Sequence, residues 1–167
     1  AQREQNRQKF KAVTERLVLD CNNLSLEKFP ENICDAGVRD AVLDNNLIEK
    51  IPAHVYALPL VRISLDNNRI ESLDAEIGSL NMLEYLSLNG NSLSMLPDSM
   101  SKLRALRTLK FAKNNFSALP EVIGHLQALQ QLDFTRNMVS SIPMTLTGLE
   151  SLGTLKSAGN QLSHIGR

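Results

Sequence analysis

The sequence predicts an α/β solenoid of about seven stacked repeats, with a curved parallel β-sheet on its concave face and short helices or 3₁₀ turns on its convex face. The pattern L-x-x-L-x-L-x-x-N-x-L occurs without departure from Leu83 to Leu93, and six further copies, some weaker, lie along the chain. The asparagines of these copies recur every 22–24 residues. A near-constant period over the whole chain indicates one structural unit stacked on itself.

Residues 1–13 are predicted to form an amphipathic helix, and residues 14–167 the repeats. Phe10, Val13 and Leu17 recur with the i, i+3, i+7 spacing of one helix face. Such a stripe would cover the open end of the first repeat, because terminal repeats need a cap with a polar outer side. The alternative is a basic helix that docks elsewhere.

The first half of each repeat is predicted to be a short strand followed by a turn. Its fourth and sixth positions are apolar and share one face, since side chains alternate along a strand. The asparagine that ends the strand offers both donors and an acceptor to the backbone of its own and neighbouring coils. The expected asparagine ladder comprises Asn22, Asn46, Asn68, Asn91, Asn114, Asn137 and Asn160.

The second half of each repeat is predicted to be a short helical turn on the convex side. It reads L-P-x-x-I-x-x-L-x-x-L, for example from Leu119-Pro120 through Ile123 to Leu126. Proline suits the first position of a helical turn, where no donor is needed. In the first repeat, eight residues separate Asn22 from Pro30, so an insertion is expected around residues 25–28.

The last repeat departs from the pattern. Ser157 occupies a strand position that holds leucine or phenylalanine in most other copies, and no C-terminal cap is visible before Arg167. An uncapped stack leaves apolar core exposed. We therefore expect the chain to be a fragment of a longer protein with additional domains, or its end to contact another molecule, including end to end.

Composition narrows the classes of partner. The 18 basic and 18 acidic residues balance, which argues against nucleic acid or an anionic membrane as the main partner. No apolar run approaches the roughly 18 residues of a transmembrane span, so no membrane insertion is expected. The two cysteines, Cys21 and Cys34, cannot form the disulfide clusters that cap extracellular repeats. A reducing compartment, and hence a cytoplasmic location, is expected.

The full unit resembles the 23-residue class of intracellular leucine-rich repeats over about residues 14–165. That class includes the Ras-group plant proteins, the Ras-suppressor type and Scribble-like repeat domains. The resemblance implies a curved solenoid that serves as a protein-binding scaffold, often attached to other domains.

The side chains that alternate with the buried ones are predicted to line the concave face. Acidic residues gather on the N-terminal repeats, where Asp20, Asp44 and Asp66 are expected to stack, and basic residues gather on the C-terminal ones. Tyr85 beside Arg62 is the expected central anchor, since tyrosine and arginine most often anchor interfaces. The predicted partner-binding residues are Arg16, Asp40, Asp44, Arg62, Asp66, Tyr85, Lys110, Lys113, Asp133, Arg136 and Lys156.

A different interpretation makes this surface an ordinary solvated sheet face, with its aspartates bonded to neighbouring turn amides. Stacked carboxylates would repel one another unless paired, and hard cations favour more oxygens in a closed loop, so no metal site and no cofactor are predicted.

Catalysis has little support in the sequence. The histidines, His54, His125 and His164, fall in convex or turn segments without a nucleophile or acid placed beside them. The function predicted is therefore non-catalytic binding of a protein partner by a scaffold or adaptor module. The alternatives are a substrate-recognition or regulatory domain of a larger multidomain enzyme, and an extracellular recognition domain.

Overall fold

The computed structural model describes residues 10–13, 16–31 and 37–165. Its main sheet has eight strands in the order β1-β2-β3-β4-β5-β6-β7-β9, and β8 and β10 form a separate parallel pair. The strands are β1 Phe10–Val13, β2 Arg16–Asp20, β3 Val38–Val42, β4 Arg62–Ser64, β5 Tyr85–Ser87, β6 Thr108–Lys110, β7 Gln131–Asp133, β8 Ser141–Ile142, β9 Thr154–Lys156 and β10 His164–Ile165.

Seven parallel strands, one from each repeat, build the sheet. We call the repeats that contain β2, β3, β4, β5, β6, β7 and β9 coils 1 to 7. From β3 onwards the register is constant, as Arg62 pairs with Tyr85 and Tyr85 pairs with Thr108. The predicted parallel solenoid is confirmed.

The core lies between the sheet and the convex segments. In coils 3 to 6, leucine or isoleucine at the fourth and sixth repeat positions, such as Leu86 and Leu88, is fully buried. In coils 5 and 6 phenylalanines take over this role, and the Phe111 ring centroid lies 4.7 Å from that of Phe116 and 6.3 Å from that of Phe134. These rings supply most of the aromatic area in a core otherwise made of aliphatic side chains.

The convex segments of coils 2 to 6 each contain one short 3₁₀ helix, as predicted. Most follow the repeat proline, whose fixed φ suits the entry into a helical turn. In coil 3 Asp74 takes the place of the proline, and its side chain makes no capping hydrogen bond. The 3₁₀ helices are Ala53–Ala57, Ala75–Ser79, Asp98–Lys102, Glu121–His125 and Met144–Gly148.

Two glycines allow neighbouring 3₁₀ helices to approach closely. A Cβ atom added to Gly124 would lie 2.5 Å from the backbone oxygen of Thr145 and 2.6 Å from its Cβ, and Gly78 faces Ser99 in the same way. Because backbone atoms cannot yield as a flexible side chain can, we expect Gly124→Ala to lower the free energy of unfolding by about 1–3 kcal/mol. Urea unfolding followed by circular dichroism measures this change.

Gly148 is the matched control for Gly124, because it also lies in a 3₁₀ helix. The nearest atom to an added Cβ at Gly148 is the backbone oxygen of Gly124, at an ordinary 3.6 Å. Gly148→Ala should leave stability unchanged or raise it by about 0.5 kcal/mol, since alanine restricts the unfolded chain. Equal losses in the two variants would contradict the steric explanation.

The N-terminal capping helix predicted for residues 1–13 is wrong over its last turn. Residues 10–13 form strand β1, which pairs antiparallel with β2, from Phe10 opposite Leu19 to Val13 opposite Arg16. The free edge of β2 leaves backbone donors and acceptors unpaired, and a strand satisfies them where a helix would not. Residues 1–9 of the prediction lie outside the described residues.

Coil 1 also differs from its predicted register by two residues. Val18 lies beside Asp40, and Asp20 lies beside Val42. In the turn that follows, the N–H of Asn23 donates to the carbonyl of Asp44, just as the N–H of Asn45 donates to that of Asp66. Leu24 therefore occupies the place of the ladder asparagine, and the expected insertion around residues 25–28 disappears.

Coil 7 leaves apolar side chains open to solvent. Leu155 is 42% exposed and Leu162 is 37% exposed, whereas Leu132, the strand partner of Leu155, is fully buried. In coils 2 to 6 the equivalent side chains are buried because the next coil packs against them. That another molecule or further chain covers this end stays a prediction.

Candidate functional site

The asparagine ladder is confirmed from Asn46 to Asn160, and it ties each coil to the one before. In coil 5, Asn114 Oδ1 accepts the N–H of Leu93 at 2.9 Å. Its Nδ2 donates to the carbonyls of Leu88 at 2.8 Å and Phe111 at 3.0 Å. One buried amide thus satisfies backbone groups of two coils, which holds the strand ends, and the side chains they carry, at a fixed spacing.

The prediction that Asn22 belongs to this ladder is wrong. Asn22 Oδ1 accepts the N–H of Asp44 at 2.7 Å, so it reaches forward to coil 2 instead of back. Because β2 is flanked by the antiparallel strand β1 and not by the turn of another coil, leucine is sufficient at residue 24.

Asn22 is instead the first member of a second ladder on the concave side, which continues through Asp44, Asp66 and Asn89. Asp44 Oδ1 accepts the hydroxyl of Ser64 at 2.7 Å and the N–H of Asp66 at 2.8 Å. Asp66 and Asn89 accept the equivalent hydrogen bonds from the two coils that follow. The predicted stack of three aspartates is therefore wrong at Asp20, which lies beside Val42 and whose Oδ1 accepts the N–H of Asn22 in its own coil at 3.2 Å.

The next two steps of the second ladder repeat the same geometry. Asp66 Oδ1 accepts the Ser87 hydroxyl at 2.6 Å and the N–H of Asn89 at 2.9 Å. Asn89 Oδ1 then accepts the N–H of Ala112 at 2.7 Å. The series stops there, because the methyl group of Ala112 cannot accept a hydrogen bond. Asp44 and Asp66, predicted to bind a partner, thus serve the framework with part of their hydrogen-bonding capacity.

Tyr85 lies near the middle of the concave face, between two cations. The guanidinium carbon of Arg62 is 3.7 Å from the centre of the Tyr85 ring, and Lys110 Nζ is 5.5 Å from it. Arg62 and Tyr85 are strand partners in β4 and β5, and Lys110 ends the next strand. Cations over an aromatic face are attracted by its quadrupole, so the half-buried ring is held in one orientation.

A shallow cleft of about 250 Å³ begins at Tyr85 and runs along the edge where the strands start. Its charged side chains are Arg62, Glu84 and Arg107, and Val61, Thr108 and Gln130 complete its lining. The cleft joins an aromatic ring, hydrogen-bonding groups and charges of both signs. This combination suits a peptide chain better than a purely apolar ligand.

The predicted basic residues of coils 5 to 7 all lie in the described concave region. Lys110 and Lys156 end β6 and β9, and Lys113 and Arg136 occupy the turns after β6 and β7. Asp133 lies between Lys110 and Lys156 in the strand register. Its Oδ1 accepts the N–H of Thr135 at 3.0 Å.

Two N-terminal members of the predicted surface are placed differently. Asp40 is the register partner of Arg62, as expected, but its neighbour in coil 1 is Val18 instead of Arg16. Arg16 stands at the start of β2, opposite Val13. The pairing of Arg16 with Asp40 that the repeat alignment predicted is therefore absent from the described sheet.

The convex side offers a different kind of surface. Burial raises the pKa of the Tyr56 hydroxyl above its ordinary range, and the nearby Asp74 carboxylate raises it further. A cleft of about 620 Å³ near the first coils is lined by charges of both signs around Phe29, Pro52 and His54.

Within the described residues, no group of three or more His, Cys, Asp or Glu side chains could hold a metal ion. No helix among the described residues is long and apolar enough to span a membrane.

Comparison with known proteins agrees with this geometry. A leucine rich repeat family model matches residues 58–116. The fold is a leucine-rich-repeat solenoid. The structure of a leucine-rich-repeat protein of Leptospira interrogans superposes with a TM-score of 0.69 at 25% identity, covering 88% of this chain and 50% of that protein. The chain thus spans about half the length of that relative. No curated protein matches the chain significantly.

Leucine-rich-repeat domains generally mediate protein–protein interactions, and they are typically binding modules without enzymatic activity. In this solenoid the concave strands present the ordered side chains around Tyr85, while the convex side consists of short 3₁₀ helices.

Proposed function

We propose that the chain is a non-catalytic protein-interaction module, acting as a scaffold or adaptor, which binds a partner protein on its concave face around Tyr85. The observation that carries this proposal is the Tyr85 ring held between Arg62 and Lys110. A fixed aromatic ring loses little conformational entropy on binding, and tyrosine and arginine are the commonest hot-spot residues.

The surroundings of Tyr85 support the same proposal. The ring opens onto the cleft that includes Glu84, Arg107 and Gln130, so polar contacts can surround a central aromatic one. Such an arrangement matches the usual anatomy of an interface, with a few anchoring side chains inside a polar rim.

The proposal includes a protein class and a location. The 23-residue period supports an intracellular repeat protein of the Ras-group or Scribble-like class. The low cysteine content, two in 167 residues, supports a cytoplasmic site of action, since extracellular repeats usually carry disulfide-bonded caps.

The test is affinity capture from an extract of the source cells with native protein and Tyr85→Ala as baits. Bound proteins are quantified by mass spectrometry, and each candidate is purified and titrated by calorimetry. We expect one direct partner to bind Tyr85→Ala about 30-fold more weakly, as a hot spot of about 2 kcal/mol implies. The variant should keep the circular dichroism spectrum of the native protein.

Glu121→Ala provides the matched control, because Glu121 is exposed on the convex 3₁₀ helix Glu121–His125. It should capture and bind the same partner as native protein. A partner that is lost by Glu121→Ala and retained by Tyr85→Ala would place the binding surface on the convex side and contradict the proposal.

A further inference from the structure

The residue before the ladder asparagine adopts a left-handed backbone in coils 2 to 7. Asn45, Asn67, Gly90 and Gly159 occupy this position in four of these coils, with φ between 55° and 69°. Asparagine and glycine are the residues that tolerate this conformation best. In coils 5 and 6 the position is held instead by Lys113 and Arg136, with φ of 53° and 54°.

Folding alone does not explain the choice of these two residues. Lysine and arginine are unfavourable in left-handed backbone, because their Cβ atoms crowd the following carbonyl oxygen. Both side chains are exposed, and neither forms an ion pair with another described residue. The turn requires this backbone, because the N–H groups of Lys113 and Arg136 donate to the next coil at 2.8 Å. A residue type that suits the required backbone poorly is a reason to look for function in its side chain.

Lys113 and Arg136 belong to a larger basic patch, which we define as Lys110, Lys113, Arg136 and Lys156. Its members lie on three adjacent coils, whose strands are spaced by about 4.8 Å. Asp133 is the one carboxylate on the described concave face of these coils, and it is engaged by the N–H of Thr135. The patch therefore carries a local positive charge although the whole chain is neutral.

Small side chains leave space within the basic patch. Ala112, Thr135 and Ala158 occupy the positions that Asp44, Asp66 and Asn89 hold in coils 2 to 4. A chain lying across the patch would therefore contact the cations without meeting long side chains beneath it. At its N-terminal side the patch reaches Tyr85, since Lys110 Nζ is 5.5 Å from that ring.

The dimensions of the patch decide what kind of anion it fits. Three strands extend over roughly 10 Å, the length of about three residues of extended chain. Asp44, Asp66 and Glu84 follow on the coils before it, so a continuous polyanion such as nucleic acid would meet carboxylates on leaving the patch. A short run of Asp and Glu in a protein satisfies both limits.

We propose that the basic patch binds a short acidic segment of the protein partner, next to the contact at Tyr85. This inference rests on the proposed function and specifies the chemistry of the partner. Lys113 and Arg136 determine specificity for acidic residues, and the chain retains them at the expense of backbone stability. Complementary charge of this kind governs association rate and specificity more than total affinity.

The test selects random dodecapeptides displayed on phage against the native chain, and then measures the enriched peptides by fluorescence polarisation. We expect enrichment of Asp and Glu. The double variant Lys113→Asn, Arg136→Asn should weaken binding of these peptides by about tenfold or more. Its melting temperature should rise by about 2–6 °C, because asparagine accepts the left-handed backbone.

The matched control is the double variant Lys102→Asn, Arg104→Asn, which removes the same charge from exposed positions outside the concave face. It should bind the acidic peptides as native protein does. Three results would overturn the inference: no acidic enrichment, equal loss of binding in both double variants, or a lower melting temperature for the variant at residues 113 and 136. Tighter binding to single-stranded RNA or to phosphatidylserine vesicles than to the peptides would also overturn it.

Failure of this inference can be distinguished from failure of the proposed function. If the partner identified by capture still requires Tyr85 but binds the variant at residues 113 and 136 normally, the concave interaction stands and the acidic segment is rejected. If neither Tyr85 nor the basic patch affects that partner, both proposals fail.

Discussion

Phe111→Ala should lower the free energy of unfolding by about 3–5 kcal/mol, the range for removing a large ring from a close-packed core. Phe111 is fully buried and contacts the rings of both Phe116 and Phe134. The substitution removes apolar contact area and leaves a cavity between coils 5 and 6, where rigid strands limit collapse. Urea unfolding at equilibrium, monitored by circular dichroism, measures the change.

Met95→Ala is the control for the loss of a large apolar side chain, because Met95 is 67% exposed. Its effect should stay within about 0.5 kcal/mol. Phe111→Leu, which keeps most of the volume, should cost less than Phe111→Ala. If the losses of unfolding free energy in Phe111→Ala and Met95→Ala differed by less than about 1 kcal/mol, the phenylalanine cluster would not be a main stabilising element of the core.

Asn114→Ala should destabilise the chain by about 2–4 kcal/mol, because one buried N–H loses its acceptor and two further hydrogen bonds between the coils are lost with it. The N–H of Leu93 would be left without an acceptor. The carbonyls of Leu88 and Phe111 would each lose one donor and keep the Nδ2 of Asn91 and of Asn137. Asn114→Asp should be similarly harmful, since a carboxylate keeps the acceptor, loses both donors and buries a charge. The same denaturation experiment measures both variants.

Asn115 supplies the comparison for Asn114, because it is the adjacent asparagine and its side chain is exposed. Asn115→Ala should change stability by no more than about 0.5 kcal/mol. Comparable losses at residues 114 and 115 would show that the turn, and not the buried amide, responds to substitution.

Sequence periodicity predicted the interior of the solenoid well. The offset between leucines and asparagine is nearly constant from coil 2 to coil 7, so the strands, the register and the columns of concave side chains could be derived by alignment. The contact between Tyr85 and Arg62 was predictable for the same reason. The left-handed position of Lys113 and Arg136 could also have been inferred, because Asn45, Asn67, Gly90 and Gly159 share it.

The first coil could not be derived in this way. Asn22 completes the repeat pattern, but the backbone pairing with β3 moves the coil by two residues and assigns that place to Leu24. Coil 1 has no neighbouring turn on its β1 side whose carbonyls require the asparagine. The position of an asparagine in this coil therefore does not indicate how β2 pairs with β3. Likewise, the helical spacing of Phe10, Val13 and Leu17 gave no sign that β2 has a free edge for β1 to pair with.

Burial of Ser64 and Ser87 was missed, although a signal exists. Each serine lies one coil after an aspartate that follows the preceding strand. The serine hydroxyl and a backbone N–H of its own coil both donate to one oxygen of that aspartate. Considered alone, a serine on a strand predicts only a solvated hydroxyl. The pairing of Asp44 with Ser64 and of Asp66 with Ser87 becomes visible only when adjacent repeats are compared as donors and acceptors.

The second ladder makes the coils an ordered series instead of exchangeable modules. Coil 4 must follow a coil that carries an aspartate two residues after its strand, since Ser87 and the N–H of Asn89 donate to Asp66. Coil 5 carries Lys110 where coil 4 carries Ser87, and it presents no such hydroxyl. A chain shuffled at repeat boundaries would keep every leucine in place and still lose this complementarity. The order of the repeats is therefore itself encoded in the polar side chains of the concave face.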